Sequence, residues 1–98
     1  MVKYSLLARV EAKAGKEQAV EDFLKSALPL AEEEKETISW YALKIGPSTF
    51  GIFDTFETEE GRQAHLKGKI AAALMEHAGE LLSSPPVIEM VELLAVKS

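Results

Sequence analysis

WYALKIGPSTFGIFDTFETEEGRQAH, residues 40–65, contains two strand patterns, the turn between them and the start of a helix. The pattern of period two begins at Thr37. Ile38, Trp40, Ala42 and Lys44 share one face of a strand, while Ser39, Tyr41, Leu43 and Ile45 share the other. Gly46-Pro47-Ser48-Thr49 is turn chemistry, because proline presets the dihedral of the second position of a β-turn. Residues 49–56 then form a second strand, with Phe50, Ile52, Asp54 and Phe56 facing one way. The spacing predicts an antiparallel hairpin. Thr58 is placed to cap a helix, and Glu59 and Glu60 fall in its first turn, where the helix dipole favours negative charge. That helix carries Arg62, His65 and Leu66 and breaks near Gly68.

Residues 3–12 alternate imperfectly, with Tyr4, Leu6, Ala8 and Val10 on one face and Ser5, Leu7, Arg9 and Glu11 on the other. Gly15 ends the pattern. From Lys16 the period changes, and Ala19, Val20, Phe23, Leu24, Ala27, Leu28 and Ala31 mark one side of a helix. Pro29 lacks an N–H to donate to Lys25, so it kinks that helix or starts its last turns. The run Glu32, Glu33, Glu34 and Glu36 follows at the helix end and reads as a solvated terminus rather than a metal site. After Gly68 a further helix covers residues 69–78, with Gly79 as its stop or with Leu81 and Leu82 extending the helical region, and Pro85-Pro86 ends it. Residues 87–96 form the last strand. The order strand, helix, strand, strand, helix, strand is the split βαβ arrangement. The expected fold is therefore α+β and ferredoxin-like, an antiparallel βαββαβ sheet with helices on one face, as a single domain over residues 1–98.

Several function classes are excluded by composition. Net charge is −5 and the arginines are Arg9 and Arg62 alone, so no basic patch is present to neutralise nucleic-acid phosphates. The chain has no cysteine, which removes disulfides, thiolate nucleophiles and thiolate metal ligands. No apolar stretch approaches membrane-spanning length, and the N-terminal segment carries Arg9 within a short apolar run. A cytoplasmic protein with no membrane partner is expected. Gly46 to Gly51, GPSTFG, has the glycine spacing of a phosphate loop, but Ile52 and Phe53 stand where lysine and serine or threonine are required.

The outer strands are apolar on both faces. Ile88, Met90, Leu94 and Val96 alternate with Val87, Val91, Leu93 and Ala95, and Leu6 and Leu7 point opposite ways. Helices cover one face of a sheet only. A second copy of the same sheet is the simplest cover for the other, so a homodimer through the sheet face is expected.

Few side chains carry chemistry. His65 titrates near neutrality and suits either a base or hydrogen-bond donor or a purely structural position. Asp54, among Phe50, Ile52 and Phe56, needs a cation, with Arg9 or Arg62 the candidates, or else has a raised pKa and a chemical task. Trp40 and Tyr41 point to opposite faces, so at most one of them lines a given pocket. His77 reads as an exposed or capping residue near a helix end. His65 and His77 lack a nearby carboxylate at metal-ligand spacing, and no metal site is expected.

GRQAHL following FGIFDTFETEE resembles the antibiotic biosynthesis monooxygenase family, in which an aromatic-rich strand and acidic cap lead to a histidine-bearing helix. The resemblance extends over nearly the whole chain, and His65 is its most specific match. It implies a dimeric α+β barrel, two sheets packed face to face, with a pocket in each subunit between sheet and helices. It also implies a monooxygenase using no metal or organic cofactor on a phenolic or quinol-like small molecule, with His65 as catalytic base. Trp40, Tyr41, Asp54 and Arg62 are then the candidate substrate-binding residues. Haem-degrading members use an asparagine on the first strand and a tryptophan on a helix; this chain has no asparagine and its tryptophan lies on a strand. A non-catalytic dimer binding a small apolar metabolite, and an isomerase of the same fold, are the alternatives.

Overall fold

A computed structural model describes residues 2–97. The elements run β1 (Tyr4–Glu11), α1 (Glu17–Ser26), α2 (Leu28–Glu33), β2 (Thr37–Lys44), β3 (Thr49–Phe56), α3 (Glu59–Leu66), α4 (Lys69–Leu81) and β4 (Val87–Glu92). The four strands form one antiparallel sheet in the order β2-β3-β1-β4, with the helices on one face. This is the ferredoxin-like α+β fold. The order inserts β3 between β2 and β1, so the hairpin's second strand becomes an interior strand. Its helix-facing side chains are among the most buried in the molecule: Phe50 at 2%, Asp54 at 1% and Phe56 at 0% exposure.

The register explains which residues form the core. Leu6 pairs with Asp54, Ala8 with Ile52 and Val10 with Phe50, while Trp40 stands opposite Asp54 on the other side. Directly paired residues share a face, so these residues all look toward the helices. Val20 and Leu24 of α1, with Ile70 and Leu74 of α4, pack down on them. Gly51 lies where β1 and β3 approach closely, because a Cβ there would sit 2.8 Å from the carbonyl oxygen of Ala8.

The first helix divides at Ala27 and Pro29 starts its last turns as expected, falling in the opening turn of α2, where a missing N–H costs nothing. Two boundaries differ from expectation. Helix α4 runs through Gly79 to Leu81, since Leu81 packs on the core and Leu82 is buried and bridged to Ala12. Strand β4 ends at Glu92 rather than near residue 96. Its partner β1 begins opposite it at Tyr4, and the Leu93 N–H bonds the Lys3 carbonyl as the last rung. Leu94, at 88% exposure, lies beyond the sheet.

Candidate functional site

Helix α3 faces the sheet through Gly61, Arg62 and His65, positions one turn apart along one side. Thr58 caps it as its sequence position foretold, its hydroxyl accepting the Gly61 N–H at 2.9 Å. His65 lies in the last turn, where the helix dipole favours a cation. Its ring packs 5.4 Å from that of Phe56, and both ring nitrogens are engaged. Nε2 meets Asp54 Oδ2 at 2.8 Å, and Nδ1 meets Glu34 Oε1 at 2.6 Å.

The imidazole is thus held between two carboxylates. Two N–H donors satisfy two carboxylates only in the imidazolium form. Burial, the largest single influence, pushes the His65 pKa down, but the hydrogen bonds and charges of Asp54 and then Glu34 outweigh it. The net effect holds His65 above its ordinary value of 6.5. The same arrangement supplies Asp54 with its cation. With Leu6, Ile52 and Ile70 around it, a charge this buried is costly unless it is paired.

Neither expected arginine fills that role. Arg9 pairs with Gly51, three residues along the ladder from the Leu6–Asp54 pair, and an odd offset projects it from the opposite face. Arg62 is committed elsewhere. It donates to Glu59 through Nε at 2.8 Å and Nη2 at 2.6 Å, and through Nη1 to the carbonyls of Ser5 and Val91. Its guanidinium also lies over the Tyr4 ring. Tyr41 stacks on Phe53 on the sheet face away from the helices and is 55% exposed. Trp40 shares the Asp54 face but packs against the core beside a hollow that Glu34 also lines, with its indole N–H buried and unpartnered. The fold therefore gathers His65 and Asp54 of the sequence candidates and leaves Arg62 and Tyr41 apart from them.

Two hollows meet at His65. On the inner side an apolar cavity of about 120 Å³ lies between α4 and the sheet, lined by Leu6, Ile52, Ile70 and Leu74, with Asp54 and His65 as its polar members. Met75 and Ile88, both exposed, border it where α4 and β4 diverge. Asp54 Oδ1 is buried and has no hydrogen-bond partner. On the outer side a polar cleft of about 360 Å³ is lined by His65 together with Glu33, Glu34, Lys35, Glu36 and Lys69. Among the described residues, no group of three or more acidic or histidine side chains is arranged to hold a metal ion.

Glu34 is the site residue that the sequence did not disclose. Glu32, Glu33 and Glu36 are exposed, as a solvated helix end requires, but Glu34 is turned inward. It occupies the extended C-cap of α2, and Thr37 Oγ1 donates to its Oε1 at 2.8 Å. Glycines make room for this loop. A Cβ on Gly68 would lie 3.3 Å from Glu34 Oε2, and one on Gly61 would lie 3.0 Å from Glu36 Oε2. The cue available in the sequence was the pairing of an acidic helix end with two glycines flanking the histidine. His77 also departs from expectation, since it is half-buried with its ring edge-on to Phe23 at 5.4 Å.

No protein-family model matches the chain, and no curated protein matches it. Among solved structures, NE2512 from Nitrosomonas europaea, a protein of unknown function, is 64% identical. The alignment covers 100% of this chain and 95% of that one, with a TM-score of 0.97. Rv0793 from Mycobacterium tuberculosis aligns at a TM-score of 0.84 and 15% identity, over 98% of this chain and 99% of that one. A Nitrosomonas europaea protein provisionally named an antibiotic biosynthesis monooxygenase aligns at 0.82 and 14% identity, over 94% and 90%.

Proposed function

Because the chain belongs to one family with NE2512 and has the fold of proteins provisionally named antibiotic biosynthesis monooxygenases, we propose that it is a cofactor-independent oxygenase of small phenols or quinols. The observation that carries this reading is the Asp54–His65 pair at the wall of an otherwise apolar cavity. Deprotonating a phenol makes it an electron donor to dioxygen. The pair supplies the base, and the apolar lining keeps water from the anion and its oxygenated products. For hydroquinone the balance is quinol plus dioxygen giving hydroxyquinone plus water. One oxygen atom enters the ring, the other leaves as water, and the quinol supplies every electron.

Cavity size narrows the substrate. An apolar cavity of about 150 Å³ accommodates benzene, so the 120 Å³ here suits a single ring rather than a polycyclic one. The enzyme works as a homodimer closed over the sheet face that the helices leave open, where Tyr41, Leu43, Phe53 and Val91 project. Among the described residues, no helix is long and apolar enough to cross a membrane.

Oxygen-electrode measurements across a panel of one-ring quinols test the reading. Uptake is expected with the wild type and is expected to fall at least a hundredfold in His65→Ala, which breaks the pair that supplies the base, while circular dichroism stays unchanged. Absence of uptake above the buffer control for the whole panel would remove the oxygenase reading. Binding of the same compounds without uptake would leave a non-catalytic binding protein.

A further inference from the structure

His65 cannot touch a molecule in the cavity through either ring nitrogen, since Asp54 holds one and Glu34 the other. The polar atom left free there is Asp54 Oδ1, buried and unpartnered on a side chain at 1% exposure. Behind His65 stands Glu34, whose side chain is 22% exposed and lines the outer cleft. The three groups form one unbroken chain from the inner cavity to the outer cleft.

We propose that Asp54 accepts the substrate proton at Oδ1 and that Glu34 is the outlet through which a proton leaves the site in exchange. This rests on the phenol reading above. The exchange needs no proton to cross the imidazole. In the resting site Asp54 and Glu34 are carboxylates and His65 is an imidazolium donating to both. When the phenol O–H bond breaks and its proton binds Oδ1, Asp54 becomes a neutral acid and no longer stabilises the adjacent cation. The Nδ1 proton then passes to Glu34 Oε1 and on to water in the outer cleft. Nε2–H remains in place throughout, donating to Oδ2, now the carbonyl oxygen of the acid. The substrate leaves this step as an anion, and the site has taken in one proton and released one.

The surroundings suit this role for Glu34. Thr37 Oγ1 donates to the same Oε1, orienting the carboxylate without titrating. Gly68 leaves space beside Oε2 that a side chain would occupy. The charged groups facing His65 are Asp54 from β3 and Glu34 from the end of α2. Glu33, Lys35, Glu36 and Lys69 surround the outer cleft that receives the proton.

The test uses 4-nitrophenol, whose phenolate absorbs visible light, at a pH where the free compound is protonated. Phenolate formed on the protein and protons released into weakly buffered solution are read together with a pH indicator. The wild type is expected to release one proton for each phenolate formed. Glu34→Gln, which retains a carbonyl to accept from Nδ1–H but cannot take up the proton, is expected to form phenolate with no release. Glu32→Gln removes an exposed carboxylate of the same acidic run and is expected to release protons as the wild type does. Equal release by Glu34→Gln and wild type would overturn the outlet while leaving the phenol site standing, and so would loss of release in both variants alike. Failure of the wild type to bind or ionise the phenol would overturn the underlying reading and the outlet with it.

Discussion

At the scale of single residues, the site is governed by what a carboxylate does when it is nearly stripped of water. Asp54 sits on an interior strand among apolar side chains, where His65 pairs with it at 2.8 Å. Against the opposing effect of burial, Asp54 and then Glu34 hold the His65 pKa above its ordinary value. Linkage fixes the sign of the pH dependence. A folded-state pKa raised above the unfolded value contributes stability that is fully present below the ordinary histidine pKa of about 6.5 and is lost as pH rises through the folded value. Urea midpoints for the wild type and His65→Gln, measured from pH 6 upward, are therefore expected to converge as pH increases. A gap that widens with pH would contradict the imidazolium assignment.

At the scale of elements, the positions that matter are those where backbone approaches backbone. Gly51 brings β3 against β1, and the Ala8 carbonyl stands 2.8 Å from where a Cβ would be. The obstacle is main chain in the middle of a sheet, so it cannot rotate aside. Gly51→Ala is expected to destabilise the fold by about 1–3 kcal/mol, the ordinary cost of overpacking, read as a lower urea midpoint at unchanged slope. The approach of the α2–β2 connection to α3 is gentler. It rests on Gly61 and Gly68, and it brings Glu34 within reach of a histidine 31 residues further along the chain. The capped start of α3 sets the other coordinate, fixing the phase of the helix so that Arg62 and His65 both face the sheet.

At the scale of the whole molecule, the helices occupy one face of the sheet and the other remains partly apolar. Tyr41 at 55% and Val87 at 56% exposure belong to that face, as does Phe53. A second copy is expected to cover it. Sedimentation at micromolar concentration is expected to give the mass of a dimer, and Phe53→Glu to give the mass of a monomer, because an unpaired carboxylate in an apolar interface is costly. A monomer in the wild type would refute the arrangement. The cavity belongs to this scale too. It exists because α4 crosses the sheet at Ile70 and Leu74 while the small Ala8 side chain on β1 leaves room beneath.

The order of elements follows from the whole chain read locally, and the hairpin with its turn, the capped helix and the break at Gly68 follow from residues 37–68. Periodicity, turn chemistry and capping are short-range effects, and each leaves its mark within a few positions of its cause. The ends of α4 and β4 did not follow in the same way, since one depends on burial of Leu81 and Leu82 and the other on where β1 stops. Within the site, His65 was conspicuous as a titratable residue on a sheet-facing helix, and Asp54 as a carboxylate on an apolar strand face. That the two are partners and that Glu34 alone of its acidic run turns inward were decided by the tertiary structure. Charge pairs form across distances in sequence that no local pattern encodes, and only the packing of α3 between sheet and loop brings these three side chains together.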